Sequence, residues 1–291
     1  MSHFFRKFCY NEKKSPEREN AMTKKIIALD LDGTLLNSES KVSQTSKKTL
    51  KEVEKQGHLI VITTGRPYRM ADHIYRDLDL TSPMINFNGA LTHIPGKKWD
   101  KELSMTLDKK YLLDMVKREE DIEADFIAGE YRNKFYITHT NHSKIDPALF
   151  GVNEIASQTK FQAEKVTENP NAILLQTRVT DKYALAEEMS NYYNRELEIN
   201  SWGGPLNILE CAPKGVNKAF ALNYLLETYG LDRSDLIAFG DEHNDTEMLA
   251  FAGVSYAMKN ANPILLPYAD HQTDFTNDED GVARQLEKLF L

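Results

Sequence analysis

The chain has little cysteine, no long apolar segment and no excess of basic residues, and each shortage excludes a class of protein. Cys9 and Cys211 are the only cysteines among 291 residues, too few for a disulfide framework and typical of a reducing cytoplasm. No stretch approaches the roughly 18 consecutive apolar residues of a membrane helix. The net charge of −8 argues against a nucleic-acid partner, because phosphate backbones are bound by clustered Lys and Arg.

What is present is the composition of a soluble globular protein. Hydrophobic residues make up 41% of the chain and charged residues 27%, and the length suits one large domain or two smaller ones. Residues 1–22 are mostly polar and lack the roughly 7 to 15 consecutive apolar residues of a secretory signal. We expect them to form a disordered extension without a chemical role, with Met22 as an alternative start.

The most informative segment is residues 26–34, which read Ile-Ile-Ala-Leu-Asp-Leu-Asp-Gly-Thr. An apolar strand here ends in two carboxylates, Asp30 and Asp32, which repel each other unless a cation or a shared proton intervenes. Mg²⁺ prefers oxygen ligands and is typically bound by one or two carboxylates together with water and phosphate oxygens. The two acids are therefore a candidate site, the alternative being a capped strand end beside a turn.

Strands and helices alternate at both ends of the chain. Continuous apolar strands of this kind are typical of a parallel sheet with helices on both faces, which binds ligands at the carboxyl ends of its strands. In the first part, strands are predicted at 26–29, 58–63 and 84–87, with helices at 42–56 and about 67–78. In the last part, strands are predicted at 206–211, 236–240 and 254–258, with helices at 216–229, 246–252 and 281–290. Residues 23–89 and 203–291 are therefore predicted to form one Rossmann-like α/β domain.

The middle of the chain has a different pattern. Two strands that look antiparallel or edge-like are predicted at 134–139 and 172–178, and two helices at 109–118 and 182–194. Gly203-Gly204-Pro205 follows as a turn or hinge. We predict that residues 90–202 form an inserted α/β domain.

A second apolar strand, 236–240, also ends in acids, with Asp241 first and Asp245 four residues later. Parallel strands of one sheet would bring Asp241 beside Asp30 and Asp32, and three carboxylates around one point are reasonable if they bind a divalent cation. Glu242 and Asp245 could instead cap the next helix.

Two further segments suit a phosphate group. Thr64 and Gly65 follow the strand at 58–63, just before a helix whose positive end attracts anions. Lys214 and Lys218 each offer a cation, and we prefer Lys218 because it lies inside the start of a helix.

Together these motifs resemble those of the haloacid dehalogenase superfamily of phosphotransferases. Asp-x-Asp-Gly-Thr, Thr-Gly, Val-Asn-Lys and Gly-Asp-x-x-Asn-Asp occur in the expected order after residue 23, although Ala219 stands where the family usually has Gly. The inserted segment resembles the type IIB (C2B) cap of the Cof-like subfamily, which includes sugar phosphatases of the YidA type. Asn88-Gly89 also matches that subfamily.

The resemblance implies a phosphatase mechanism. Asp30 would attack the phosphorus to form an aspartyl-phosphate, and Asp32 would act as proton donor and then proton acceptor. Mg²⁺ would be bound by Asp30, Asp241 and the main-chain carbonyl of Asp32. The phosphoryl group would be bound by Leu31, Thr64, Gly65, Lys218 and Asn244.

The expected partner is a phosphorylated small molecule, most simply a sugar phosphate, rather than a nucleic acid or a membrane. The protein is expected to be cytoplasmic and a monomer or homodimer. Candidate sugar contacts are Arg66, Asn88, Arg132, Lys134, His139 and His142. A phosphosugar mutase and a non-enzymatic phospho-sensor are the alternatives; Asp32 and the large insertion argue against the sensor. A dehydrogenase is poorly supported because no Gly-x-Gly-x-x-Gly follows the first strand.

Overall fold

A computed structural model describes residues 24–140, 145–202 and 206–291. The expectations for the N-terminal extension, for His142 and for the Gly203-Gly204-Pro205 hinge fall outside these residues. The strands are β1 Ile26–Leu29, β2 Leu59–Ile62, β3 Met84–Asn86, β4 Leu91–His93, β5 Leu103–Ser104, β6 Ala124–Glu130, β7 Phe135–Ile137, β8 Ala172–Thr177, β9 Leu197–Ser201, β10 Ile208–Pro213, β11 Leu236–Gly240, β12 Val254–Ala257 and β13 His271–Gln272. The helices are α1 Gln44–Lys55, α2 Tyr68–Asp77, α3 Lys109–Lys117, α4 Lys182–Tyr192, α5 Lys218–Tyr229, α6 Thr246–Phe251 and α7 Gly281–Phe290.

Both ends of the described chain meet in one parallel sheet, with the strand order β13-β12-β11-β1-β2. Its strands are apolar on both faces because helices cover both. In β1, Ile27 and Leu29 pack into the core under α1, α2 and α7, whereas Ile26 and Ala28 pack into the core under α5 and α6. The predicted α/β class with a Rossmann-like parallel sheet is thereby confirmed.

The middle of the chain forms a separate five-stranded antiparallel sheet, ordered β7-β6-β8-β10-β9. Helices α3 and α4 cover one face, with Leu112, Met115 and Leu185 in that core. The other face packs against aromatic and aliphatic residues that include Phe150 and Ile155. A three-stranded sheet, β3-β4-β5, lies where the chain passes from the parallel sheet to this insertion.

Two predicted strands lie in different sheets from the one expected. The strand predicted at 84–87 is β3, which pairs with β4 in antiparallel register and is linked to the parallel sheet by an isolated bridge between Thr63 and Ile85. We expected residues 206–211 to return the chain to the parallel sheet, but β10 pairs with β8 and β9 in antiparallel register. The regular alternation therefore resumes only at α5. The strand is apolar enough to suit either sheet, and its neighbours are set by the surrounding topology rather than by its own residues.

Local signals account for the best-placed helices. Ser43 caps α1 by accepting a hydrogen bond from the Ser46 N–H, and Gly57 follows with a φ of +94°. Among the helices of the described ranges, none has the length and apolar character of a membrane span.

Candidate active site

The parallel register of β1 and β11 brings two acidic strand ends together. Leu29 pairs with Phe239, so Asp30 and Asp241 follow neighbouring strands at the same edge of the sheet. The Asp30 N–H continues the ladder by donating to the Phe239 carbonyl at 3.2 Å. This is the juxtaposition that the two acidic strand ends predicted.

Lys218 is the cation at the centre of this cluster. Its Nζ lies 2.6 Å from Asp30 Oδ1 and 2.6 Å from Asp245 Oδ1, and its side chain is fully buried. Burial lowers the pKa of the ammonium, but the carboxylates of Asp245 and Asp30 outweigh that effect and raise it. Lys214 is exposed, so the structure places the preferred lysine, and not its alternative, beside Asp30.

Three carboxylates are close enough to share one cation. Asp30, Asp241 and Asp245 each present an oxygen within 4.8 Å of the others. Burial raises the pKa of Asp30 well above its ordinary value, opposed by the charge of Lys218. Burial also raises the pKa of Asp241 to about 7, although Thr34 Oγ1 donates a hydrogen bond to Asp241 Oδ1 at 2.7 Å.

The predicted trio of carboxylates differs in one member, because Asp245 takes the place expected for the Asp32 side chain. The Asp32 carboxylate is instead bound by Arg66, whose Nε donates to Oδ2 at 2.7 Å and whose Nη2 donates to Oδ1. The Asp32 side chain is 57% exposed, and Asp32 lines the cavity described below. Asp32 can therefore join Asp30 and Asp241 through its main chain only.

Asp245 also shapes the loop that carries Asp241. Its Oδ2 accepts hydrogen bonds from the N–H groups of Asp241 at 3.0 Å and Glu242 at 3.2 Å, while Oδ1 binds Lys218. The capping role considered for Asp245 is thus present together with a place in the charge cluster. Gly33, with a φ of +74°, lets the opposite loop approach, since a Cβ there would lie 2.1 Å from Asp241 Oδ2.

The residues expected to bind phosphate lie around this cluster. Thr64 is buried at the end of β2, and Thr64 Oγ1 accepts a hydrogen bond from the Arg66 N–H at 3.1 Å. Gly65 lies under Asn88, where a Cβ would come within 3.0 Å of Asn88 Oδ1. Asn244 Nδ2 donates to that same Asn88 oxygen at 3.1 Å. The Leu31 side chain is fully buried in the core, so Leu31 can face a ligand only through its main chain.

A cavity of about 740 Å³ lies between the parallel and antiparallel sheets, and the predicted site residues that line it are Asp30, Asp32, Thr64, Gly65, Asp241 and Asn244. Of the candidate sugar contacts, Arg66 and Asn88 line it. Arg132, Lys134 and His139 are not among the described residues that line it; they pair with Glu102, Glu168 and Glu119 respectively.

The antiparallel sheet adds acidic side chains to the cavity that were not predicted from the sequence. Glu130 ends β6 and is bound by both terminal nitrogens of Arg69, at 2.6 and 2.8 Å. Glu210 interrupts the apolar strand β10, and its carboxylate accepts hydrogen bonds from Asn88 and Trp202. A glutamate inside an otherwise apolar strand was the available signal for Glu210.

Comparison with known proteins agrees with this geometry. Residues 27–286 match the family model of the haloacid dehalogenase-like hydrolases. Two proteins of Bacillus subtilis, named 5-amino-6-(5-phospho-D-ribitylamino)uracil phosphatases YitU and YcsE, are 34% and 32% identical to the chain. Those alignments cover 91% and 92% of this chain and 97% and 96% of the relatives. The solved structure of a haloacid dehalogenase-like hydrolase from Bacteroides thetaiotaomicron has a TM-score of 0.79 at 26% identity, covering 92% of this chain and all of its own.

Proposed function

The chain belongs to the haloacid dehalogenase-like hydrolases, in their Cof-like branch, and we propose that it is a Mg²⁺-dependent phosphatase of small phosphomonoesters that works through a phosphorylated Asp30. It is a phosphoric monoester hydrolase, as its family and its named relatives are. The observation that carries the finer proposal is the buried cluster in which Lys218 joins Asp30 to Asp245 beside Asp241.

The donor set of this cluster fits Mg²⁺. Carboxylate oxygens are ligands that Mg²⁺ prefers. The cluster has three carboxylates but one buried ammonium, which contacts Asp30 and Asp245, so negative charge is left to be balanced. We propose that Asp30, Asp241 and the main-chain carbonyl of Asp32 hold the ion, with Asp245 positioning Lys218 and the Asp241 loop. When bound, the ion supplies charge neutralisation for the phosphoryl group.

Asp30 and Asp32 divide the reaction into two displacements. The Asp30 carboxylate attacks the phosphorus, the ester bond breaks, and the leaving alkoxide takes a proton from Asp32. A water molecule then attacks the same phosphorus, Asp32 accepts its proton, and phosphate leaves with Asp30 restored. Lys218, Thr64 and Asn244 stabilise the phosphoryl oxygens during both steps.

Arg66 controls when Asp32 can donate its proton. In this structure the guanidinium binds both oxygens of the Asp32 carboxylate, an arrangement suited to the ionised acid. We propose that the phosphoryl oxygens of the substrate compete for Arg66, so that the pair opens as the substrate binds. Asp32, released from the guanidinium, would then take up a proton from water in the complex and donate it to the leaving alkoxide.

The insertion supplies the leaving-group side of the cavity. We propose that it acts as a cap and that β10 belongs to it, so the second domain boundary lies between Pro213 and Lys218 rather than at 203. The substrates named for YitU and YcsE contain a phosphorylated ribityl chain. We propose that the protein likewise acts on phosphorylated sugars or sugar alcohols, including ribityl compounds, and that it does so in the cytoplasm.

Release of inorganic phosphate tests the proposal. With Mg²⁺, the wild-type protein should hydrolyse hexose, pentose and ribitol phosphates faster than nucleoside monophosphates, and Asp30→Asn should release none. Phosphoryl transfer within the sugar without free phosphate would indicate a mutase. Asp30 phosphorylation that is stable for hours, with no turnover, would indicate a sensor.

A further inference from the structure

Glu210 of β10 is connected to the phosphate end of the cavity through the side chain of Asn88. Asn88 Nδ2 donates to Glu210 Oε1 at 3.1 Å, and Asn88 Oδ1 accepts from Asn244 Nδ2 at 3.1 Å. Trp202 Nε1 donates to the other carboxylate oxygen, Oε2, at 2.9 Å. Asn88 also lies against Gly65, so the carboxylate is held one side chain away from the loop expected to bind phosphate.

This carboxylate differs from that of Glu130, another cap glutamate that lines the cavity. Glu130 is neutralised by two hydrogen bonds from Arg69, whereas none of the ion pairs within the described residues includes Glu210. Burial raises the pKa of Glu210, although the hydrogen bonds from Trp202 and Asn88 lower it. Among the described residues, each of its oxygens has one donor, and a carboxylate oxygen has room for a second. Glu210 lines the cavity, so that second donor can come from a ligand.

The surroundings favour a donor over an anion. Glu198, Glu242 and Glu247 line the same cavity, and Arg66 is the arginine among its lining residues. A second anionic group on the leaving group would be repelled by these carboxylates. A hydroxyl or amine can instead donate to them.

We propose that Glu210 is the specificity-determining residue of the cap, accepting a hydrogen bond from a hydroxyl or amine of the leaving group close to the ester oxygen. This inference rests on the proposed phosphatase function and deepens it. The site thereby selects neutral or cationic leaving groups that carry hydrogen-bond donors, of which a sugar alcohol is the simplest. Asn88 and Trp202 are positioning residues that fix the carboxylate from its two sides.

A matched pair of substrates isolates this hydrogen bond. Glycerol 3-phosphate and propyl phosphate share a three-carbon leaving group, but only the first carries further hydroxyls. The wild-type protein should have the higher kcat/KM on glycerol 3-phosphate. Glu210→Gln should lower that preference by roughly tenfold or more. Hydrogen bonds to charged groups are stronger than those to neutral groups, and a site that binds a hydroxyl discriminates against an analogue that lacks it. Glu188→Gln, at an exposed position on α4, should leave the preference unchanged.

A second pair of variants separates recognition from support of the fold. The amide in Glu210→Gln has one acceptor oxygen but would face two donors, from Asn88 and Trp202. Trp202→Phe removes one of these donors, so that Trp202→Phe/Glu210→Gln again has one acceptor for one donor. Trp202→Phe should keep most of the preference for glycerol 3-phosphate, and the double variant should lose it while still hydrolysing propyl phosphate.

If kcat/KM fell equally on both substrates in Glu210→Gln and in the double variant, Glu210 would have a structural role and the inference would be overturned. An unchanged preference would overturn it as well. Because propyl phosphate needs no contact with Glu210, its hydrolysis by the wild-type protein reports on the proposed function separately. If the wild-type protein hydrolysed neither substrate, both the inference and the proposed function would be overturned.

Discussion

Replacing Lys218 by methionine should test the charge cluster most directly. Methionine nearly matches the length of the lysine side chain but cannot donate to the carboxylates that lie 2.6 Å from Nζ on either side. Removing one partner from a buried ion pair costs about 3–5 kcal/mol because the remaining charges are left uncompensated. Without Mg²⁺, we expect Lys218→Met to lower the free energy of unfolding by an amount in this range.

Two further variants make the comparison quantitative. Lys214→Met changes the same residue type at an exposed position and should alter stability by less than about 0.5 kcal/mol. Lys218→Met/Asp245→Asn removes one negative charge together with the positive one and should recover part of the lost stability. Urea unfolding followed by circular dichroism in EDTA measures all three.

Activity provides an independent readout of the same side chain. Loss of a preorganised charge aimed at the phosphoryl oxygens should reduce kcat by about 10²–10³-fold. Recovered stability in the double variant should not restore this loss. If Lys218→Met were as stable as Lys214→Met, or if it kept wild-type kcat, the role assigned to the buried ammonium would be wrong.

Three other outcomes follow from the geometry. Asp241→Asn should raise the Mg²⁺ concentration for half-maximal activity by at least about tenfold, and EDTA should abolish wild-type activity reversibly; metal-independent turnover would contradict the ligand assignment. Gly33→Ala should reduce kcat/KM strongly while remaining folded, since its Cβ would lie 2.1 Å from Asp241 Oδ2; wild-type kinetics would show that the loop can move aside. Burial, followed by the charge of Arg132, lowers the pKa of His93 to about 3, so the neutral ring is favoured in the fold and stability is lost as pH falls below the unfolded value of about 6.5. Between pH 6.5 and 5 this loss is at most about 2 kcal/mol, and His93→Gln should reduce it in urea titrations whereas His139→Gln, at an exposed position, should not.

Helices whose own sequence marks where they begin and end were predictable. Helix α7 was placed at its observed bounds, and the helix predicted at 42–56 is α1, Gln44–Lys55, which lies between the cap Ser43 and Gly57. The charge cluster was predictable for a related reason. Parallel strands end at one edge of a sheet, so two acidic strand ends in one sheet were expected at the same edge, and the adjacency of β1 and β11 brings them together.

Features that depend on distant partners were not predictable. Strand β6 was missed because Asp125 and Gly129 interrupt its apolar residues, and only its pairing with β7 and β8 makes it a strand. The position of β10 in the antiparallel sheet is a property of its neighbours. The direction of the Asp32 side chain likewise depends on Arg66, which approaches from another loop.

The chain leads directly from β10 into α5, with only the turn at 214–217 between them. Glu210 and Lys218 therefore lie on one short continuous piece of backbone, although we propose that one contacts the leaving group and the other the phosphoryl group. A tilt of the antiparallel sheet should therefore also shift the ammonium group of Lys218. An insertion or deletion in this connector should consequently damage selectivity and turnover together, whereas changes of loop length elsewhere in the cap can alter selectivity alone.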